Sequence, residues 1–167
     1  MITIERLSET TEPVRAQLSA MLLDYHRRTE LEKSLGRQPE PEEQSDAVDL
    51  PARHRKEIDH PDEAFAGATV LIAVDDSSAL GCVVLTAGPS PEVKRLWVTL
   101  AARRRGVATQ LLDAAASAAA ARGDRELRLS VWYWRAAAIA LYERAGFVSV
   151  PSWDERPGLS CFAHPLG

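Results

Sequence analysis

Residues 92–122 read EVKRLWVTLAARRRGVATQLLDAAASAAAAR, and the succession of patterns within them decides the fold. Residues 93–98 read as a β-strand, residues 103–108 as a basic turn with one glycine, and the alanine-rich remainder as a helix that stops at Gly123. A strand that feeds a helix start through arginines and a glycine makes an anion cradle. The first amides of a helix have no partner within it, the positive end of its dipole lies there, and Arg103, Arg104 and Arg105 add charge-assisted donors. This is not one of the commoner phosphate loops. A P-loop needs G-x-x-x-x-G-K-[ST] and a dinucleotide fold needs G-x-G-x-x-G, whereas Gly106 stands alone.

The pattern Arg103-x-x-Gly106-x-Ala108 resembles the acetyl-CoA pyrophosphate motif of the GNAT family of N-acetyltransferases. Three further stretches agree in order and spacing. Residues 92–98 look like the family's central strand, residues 129–132 like its splayed neighbour, and AIALYERAGF at 138–147 like its late helix with the "LYxxxGF" ending. The resemblance covers about residues 92–150, and the rest fits by element order. It implies an α/β fold in which residues 1–167 form a single domain, a GNAT-like twisted mixed β-sheet flanked by helices, with splayed central strands. It also implies acetyl-CoA as co-substrate. Arg103, Arg104, Arg105, Gly106, Val107, Ala108 and Thr109 would then hold the pyrophosphate, and the backbone around Leu96, Trp97 and Val98 would pair with the pantetheine arm and thioester. The Trp97 side chain is expected to pack against the sheet.

Outward from that stretch the elements alternate. Residues 2–7 read as a strand, with Ile2, Ile4 and Leu7 apolar. Val14, Leu18, Met21, Leu22 and Tyr25 recur at helical spacing over residues 12–35, with Thr10 or Thr11 as an expected cap. Residues 36–49 are rich in Pro, Glu and Gln and predict a loop. Residues 50–58 predict a short helix with Pro51 in its first turn. Two β-rich runs, 69–74 and 79–86, flank Asp75-Asp76-Ser77-Ser78 as a hairpin. After Gly123 the pattern predicts a strand at 126–132, a helix at 135–145, and strands near 147–150 and 159–163.

Bulk properties narrow the class. A chain of 167 residues suits one domain and buries roughly 70% of its unfolded surface without staples. The net charge of -4 argues against a general nucleic-acid binder, which needs a basic surface, and so against a DNA-binding helix pair built on the arginine run. The N-terminus reads as a strand rather than a signal peptide, and no apolar run approaches membrane-spanning length, so a cytoplasmic protein without a membrane partner is expected. Cys82 and Cys161 are isolated in apolar settings, which predicts reduced core thiols and no metal site.

Acetyl transfer needs a neutral amine, a polarised carbonyl and a proton for the leaving thiolate. With a lysine-like pKa of about 10.4, fewer than about one acceptor amine in a thousand is neutral at pH 7, so a proton acceptor helps. The resemblance places Glu92 there, acting directly or through water; a surface partner of Lys94 or Arg95 is the alternative. Asp59, His60, Asp62 and Glu63 are other candidate bases. By match to the family's late helix, Tyr142 is the candidate acid for the thiolate; a half-buried core aromatic is the alternative. Arg135 stands where the family often carries asparagine, and is expected to cap the new helix from solvent rather than bind cofactor.

The acceptor site is expected from residues 25–65 and 150–157, where Trp153-Asp154-Glu155 and residues 59–63 offer aromatic and acidic groups to a cationic amine. The acceptor itself, a small molecule or a peptide amine, is left open, as is a monomer or a homodimer. The expected reaction is direct attack in a ternary complex. Its rival from another class is a non-catalytic acyl-CoA-binding regulatory module.

Overall fold

The computed structural model describes residues 1–43 and 49–167. The loop expected over residues 36–49 therefore lies in part, at residues 44–48, outside the described residues. β1 (Ile2–Arg6), β2 (Thr69–Asp75), β3 (Ser78–Leu85) and β4 (Val93–Val98) form an antiparallel sheet in chain order. β5 (Glu126–Trp132), β7 (Leu159–Pro165) and β6 (Val148–Val150) form a second antiparallel sheet with β7 in the middle. The helices are α1 (Glu12–Leu35), α2 (Ala52–Asp59), α3 (Pro61–Ala64), α4 (Val107–Ala121) and α5 (Ala136–Arg144).

β2 and β3 are apolar nearly throughout because helices cover both of their faces, which removes the alternation that a half-exposed strand would show. On one face Val70, Ile72, Cys82 and Val84 pack under Leu18 and Leu22 of α1. On the other, Leu71, Ala73, Val83 and Leu85 pack against Leu111, Leu112 and Ala115 of α4, together with Tyr142 of α5 and Phe147. β5 does alternate. Leu127, Leu129 and Val131 are buried toward α4 and α5, while Arg128, Ser130 and Trp132 lie on the opposite side.

The expected helix ends hold with one correction. α1 stops at Gly36 in the left-handed region (φ 69°), and Gly123 (φ 90°) follows α4. Thr11 stands at the N-cap of α1 but makes no side-chain cap bond, and the Thr10 hydroxyl instead donates back to the Leu7 carbonyl at 2.7 Å. That carbonyl belongs to the preceding 3-10 turn, Leu7–Glu9.

Gly81 marks where β3, β4 and α4 meet. A Cβ there would lie 2.7 Å from the Trp97 carbonyl oxygen, 3.1 Å from Leu111 Cδ1 and 3.2 Å from Val107 Cγ1. The absent side chain is what lets the start of α4 sit against the sheet. Gly81→Ala is therefore expected to lower stability by about 1–3 kcal/mol, roughly 2–10 °C in Tm. Differential scanning calorimetry checks this, and an unchanged Tm would mean that β4 and α4 yield without cost.

Candidate active site

β4 runs out at Val98 into a single 3-10 turn (Leu100–Ala102), and the next residues turn sharply to start α4. Two of them, Arg104 (φ 65°) and Gly106 (φ 76°), take the left-handed conformation, which costs an arginine and suits a glycine. Gly106 is the N-cap of α4, so no side-chain oxygen satisfies the first-turn amides and they remain for an external acceptor. Space around the Gly106 Cβ position is open to 4 Å. The Val107 side chain is buried in the core, so residues 106–108 can offer an anion only their backbone, while the exposed Thr109 adds a hydroxyl. Arg103 Nε donates to the Val98 carbonyl at 3.2 Å and its guanidinium lies 5.3 Å from the Trp97 ring centroid. Arg105 Nη2 donates to Asp75 at 3.2 Å. Arg104 makes no ion pair among the described residues.

The two sheets touch at one place. Glu92 and Arg128 form an isolated parallel bridge, with the Arg128 amide donating to the Pro91 carbonyl at 3.0 Å. Beyond it β4 pairs only with β3 and β5 only with β7, so the facing edges diverge. This is the expected splay. β4 also carries a bulge: Cys82 pairs Trp97 and Val84 pairs Lys94, leaving Arg95 and Leu96 opposite Val83 alone. Arg95 absorbs the extra residue at φ 58°. After the bulge Leu96 and Val98 face α4, while Trp97 packs on the α1 side. Thus the side chains of Leu96, Trp97 and Val98 are engaged in packing, and their backbone groups toward β5 lie along the open edge.

A cavity of about 480 Å³ opens between β4 and β5 on the α1 side. Glu92, Lys94, Arg95 and Leu96 form one wall, Ser130 and Trp132 the other, and Tyr25, Thr29 and Arg53 its roof. Tyr142 also lines it, although its ring packs in the α4-side core edge-on to Phe147 at 5.9 Å. Its phenol therefore stands in the gap between the two sheets. Burial pushes the Tyr142 hydroxyl above its ordinary range, Tyr25 adds to this and Arg135 opposes it.

Glu92 is half-buried at this wall and makes no ion pair with Lys94 or Arg95 among the described residues. Arg95 is committed elsewhere: its Nε and Nη2 donate to Glu57 at 2.8 and 3.0 Å. Asp59, His60, Asp62 and Glu63 do not line the cavity. They sit at the end of α2 and in α3, with Asp62 paired to Arg15.

The structure corrects the reading of Arg135. It does precede α5 as the N-cap, but its side chain turns inward, with Nε donating to Glu32 at 2.8 Å and Nη2 to Thr29 at 2.9 Å. Glu32 is 3% exposed, and a polar group so buried needs partners; Arg28 and the Trp134 indole, at 3.1 and 2.7 Å, complete its shell. A second buried set was also not foreseen. His26 Nε2 donates to Glu57 at 2.7 Å, and the His54 ring stacks on His26 at 4.0 Å. The signal existed in α1: continuing the apolar stripe of Val14, Leu18 and Leu22 by four residues lands on His26, and polar residues on a buried stripe call for partners.

Residues 24–147 match the sequence model of the Acetyltransferase (GNAT) family, a span that takes in most of the chain. The chain belongs to that family, and membership supports acyl transfer as its class of chemistry. No curated protein sequence matches the chain. Among solved structures, a GNAT-family acetyltransferase from Staphylococcus aureus Mu50 superposes with a TM-score of 0.71 at 12% identity, over 100% of each chain. PaiA N-acetyltransferase from Thermoplasma acidophilum, in complex with coenzyme A, gives 0.69 at 17% identity over 99% of each chain. A GNAT-family acetyltransferase from Elizabethkingia anophelis with acetyl-CoA bound gives 0.64 at 17%, over 99% of this chain and 98% of that one. At these identities the likeness is one of fold. Among the described residues no helix is long and apolar enough to cross a membrane.

The buried imidazole and carboxylate set a pH dependence. Burial, with repulsion from His26 and Arg95, lowers the His54 pKa from 6.5 to about 4. For Glu57, burial acts upward, but the hydrogen bonds from His26 and Arg95 outweigh it and hold the carboxyl at about 2. Both groups bind protons more readily unfolded, so each contributes stability at neutral pH that is lost on acidification. His54 acts between about 6.5 and 4, and Glu57 below 4.5. His54→Phe, which keeps the stacked ring, is expected to flatten the upper limb and leave the lower one. Urea melts from pH 7 down to about 2 check this; an unchanged slope above pH 4 would mean that His54 titrates normally.

Proposed function

We propose that this chain transfers the acetyl group of acetyl-CoA to a primary amine by direct attack within a ternary complex. The observation that carries the reading is the gap between β4 and β5, which joins the cradle end of β4 to the cavity on the α1 side, with Tyr142 standing in it. The uncapped start of α4 suits a pyrophosphate: its amides are aimed outward, Gly106 adds no bulk, and Arg104 is exposed. The open β4 edge suits an extended pantetheine arm, which would pair with it as an added strand does.

In this scheme Glu92, directly or through one water, takes a proton from the acceptor ammonium. The amine nitrogen forms a bond to the thioester carbon, the C–S bond breaks, the Tyr142 hydroxyl gives its proton to the departing sulfur, and the second proton shed by the new amide nitrogen passes through water to restore the Tyr142 phenol. Burial keeps that phenol protonated at working pH, and the same dry setting raises the basicity of the thiolate it must meet. An acyl-cysteine route has no support from the thiols. Cys82 and Cys161 are buried, neither lines the cavity, and burial pushes the Cys82 thiol up to about 12.

A screen of primary amines for thiol release from acetyl-CoA tests the activity itself, and binding without release for every amine would leave only an acyl-CoA-binding module. Gly106→Val is expected to weaken acetyl-CoA binding at least tenfold, the loss of one charge-assisted hydrogen bond of about 1.5–3 kcal/mol, and more than Arg104→Ala does. Isothermal calorimetry reads this, and wild-type affinity in Gly106→Val would remove the cradle from the site.

Tyr142→Phe is expected to lower kcat roughly 10²-fold or more with coenzyme A affinity nearly unchanged, as loss of a general acid does. Single-turnover kinetics separate this from slow product release. An unimpaired chemical step would return Tyr142 to a packing role.

A further inference from the structure

The acidic acceptor side expected from residues 59–63 and 153–155 is not what the cavity presents. Residues 59–63 lie elsewhere, and Asp154 is clamped by its own neighbour, with Arg156 Nε and Nη2 donating to its two oxygens at 3.0 and 2.8 Å. Six cations line the cavity, Lys33, Arg53, Lys94, Arg95, Arg135 and Arg156, against three carboxylates, Glu30, Glu92 and Asp154. Lys33 pairs with Glu30, Arg156 with Asp154, and Arg95 and Arg135 with Glu57 and Glu32 behind the lining, so in a protein of net charge -4 the cavity keeps a positive excess that rests on Arg53 and Lys94 against Glu92. None of residues 99–110 contributes to the lining, and α1 and α4 cover opposite faces of the sheet. These cations are therefore distinct from the cradle and are not explained by a pyrophosphate there.

We propose that the cavity recognises its acceptor through a carboxylate, so that the substrate is a small amino acid-type molecule bearing both an amine and a carboxylate; this deepens the acetyl-transfer reading and rests on it for the amine alone. The arrangement at Tyr25 is built for an anion. Arg95 lies 5.6 Å and Arg135 6.0 Å from its ring centroid, so two guanidinium groups flank one side chain in the cavity. Each is fixed from behind by a buried carboxylate, Glu57 or Glu32, through Nε. Each spends Nη2 on the protein, and the Tyr25 hydroxyl lies against both guanidinium groups as a further acceptor, so a carboxylate would share the remaining Nη1 donors with it. A fixed guanidinium meets a carboxylate without reordering a flexible chain, which is why arginine serves such sites. Arg53 and Lys94 are exposed and make no ion pair among the described residues, so they add a field at the mouth.

The same field would act on the amine. Nearby positive charge disfavours an ammonium and raises the neutral fraction that can attack, which reduces the demand on Glu92. A diamine or polyamine would meet that repulsion with no carboxylate to offset it. The cavity volume of about 480 Å³ suits a small molecule.

The test uses the protein saturated with coenzyme A and follows its intrinsic fluorescence, since Trp132 and Trp153 line the cavity. The probes are N-acetylated α-, β- and γ-amino acids, each paired with its own carboxamide. At least one carboxylate is expected to bind tenfold or more tightly than its carboxamide. In the double variant Arg53→Ala, Lys94→Ala that advantage should fall at least threefold with coenzyme A affinity unchanged. Arg135→Gln should abolish it, and the exposed pair keeps the test decisive if that variant misfolds. Carboxamides that bind as well as the carboxylates, or no binding by any carboxylate, would overturn the proposal. Thiol release measured with free amino acids and with 1,4-diaminobutane separates it from the activity. Turnover of the diamine alone sinks the carboxylate site and keeps acetyl transfer, whereas carboxylate binding without thiol release from any amine does the reverse.

Discussion

The structure depends on a sheet that is joined at one point and then allowed to part. The Glu92–Arg128 bridge holds β4 and β5 in parallel contact, and beyond it each strand has a partner on one side only. Unpaired strand edges inside a protein are costly unless something satisfies them, because buried amides and carbonyls need partners. Here the gap is retained by its surroundings. Leu129 and Val131 anchor β5 to the α4-side core, Val93 and Leu96 do the same for β4, and Tyr142 fills the space between.

The bulge in β4 follows from that requirement. An extra residue at Arg95, carried at a positive φ, turns Arg95 toward α1 while Leu96 and Val98 return to the opposite core. A non-glycine residue in this conformation costs about 1–3 kcal/mol, and such strain persists where the surroundings over-determine it. The surroundings are Glu57 and Tyr25, which hold the Arg95 guanidinium from two sides. Arg135 makes the parallel arrangement with Glu32 from the end of β5. Each diverging strand is thus tied to the α1–α2 layer by an arginine on a buried carboxylate, which fixes the roof of the cavity over the gap.

Those buried charges also constrain chemistry. Glu32 and Glu57 neutralise the two innermost arginines, so the cavity is positive without holding an uncompensated buried charge, and its cations are preorganised rather than mobile. The start of α4 is built differently, with free backbone amides at a glycine N-cap instead of paired side chains. The uncapped start of α4 and the cavity lie on opposite faces of one sheet, with Tyr142 between them.

The sequence by itself determined the elements and the glycine-bearing turn that starts α4, because both are local. Helical spacing from Val14 to Tyr25, the apolar runs of β2 and β3, and Arg103-x-x-Gly106-x-Ala108 before an alanine-rich helix depend only on neighbours a few residues apart. Tertiary structure alone decided the character of the cavity. Arg135 read as a solvent-facing cap because nothing nearby in the chain could neutralise it, yet its carboxylate partner is 103 residues away in Glu32. Arg95 meets Glu57 across 38 residues, and the residues that looked like an acidic acceptor wall turned out to be remote or self-paired. Charge pairing over such separations has no period in the sequence, and which of Arg95's side chain or backbone faces the cavity was settled by one extra residue in β4. The reason is geometric: a bulge reverses the face on which the side chains lie, and only the register with β3 shows it.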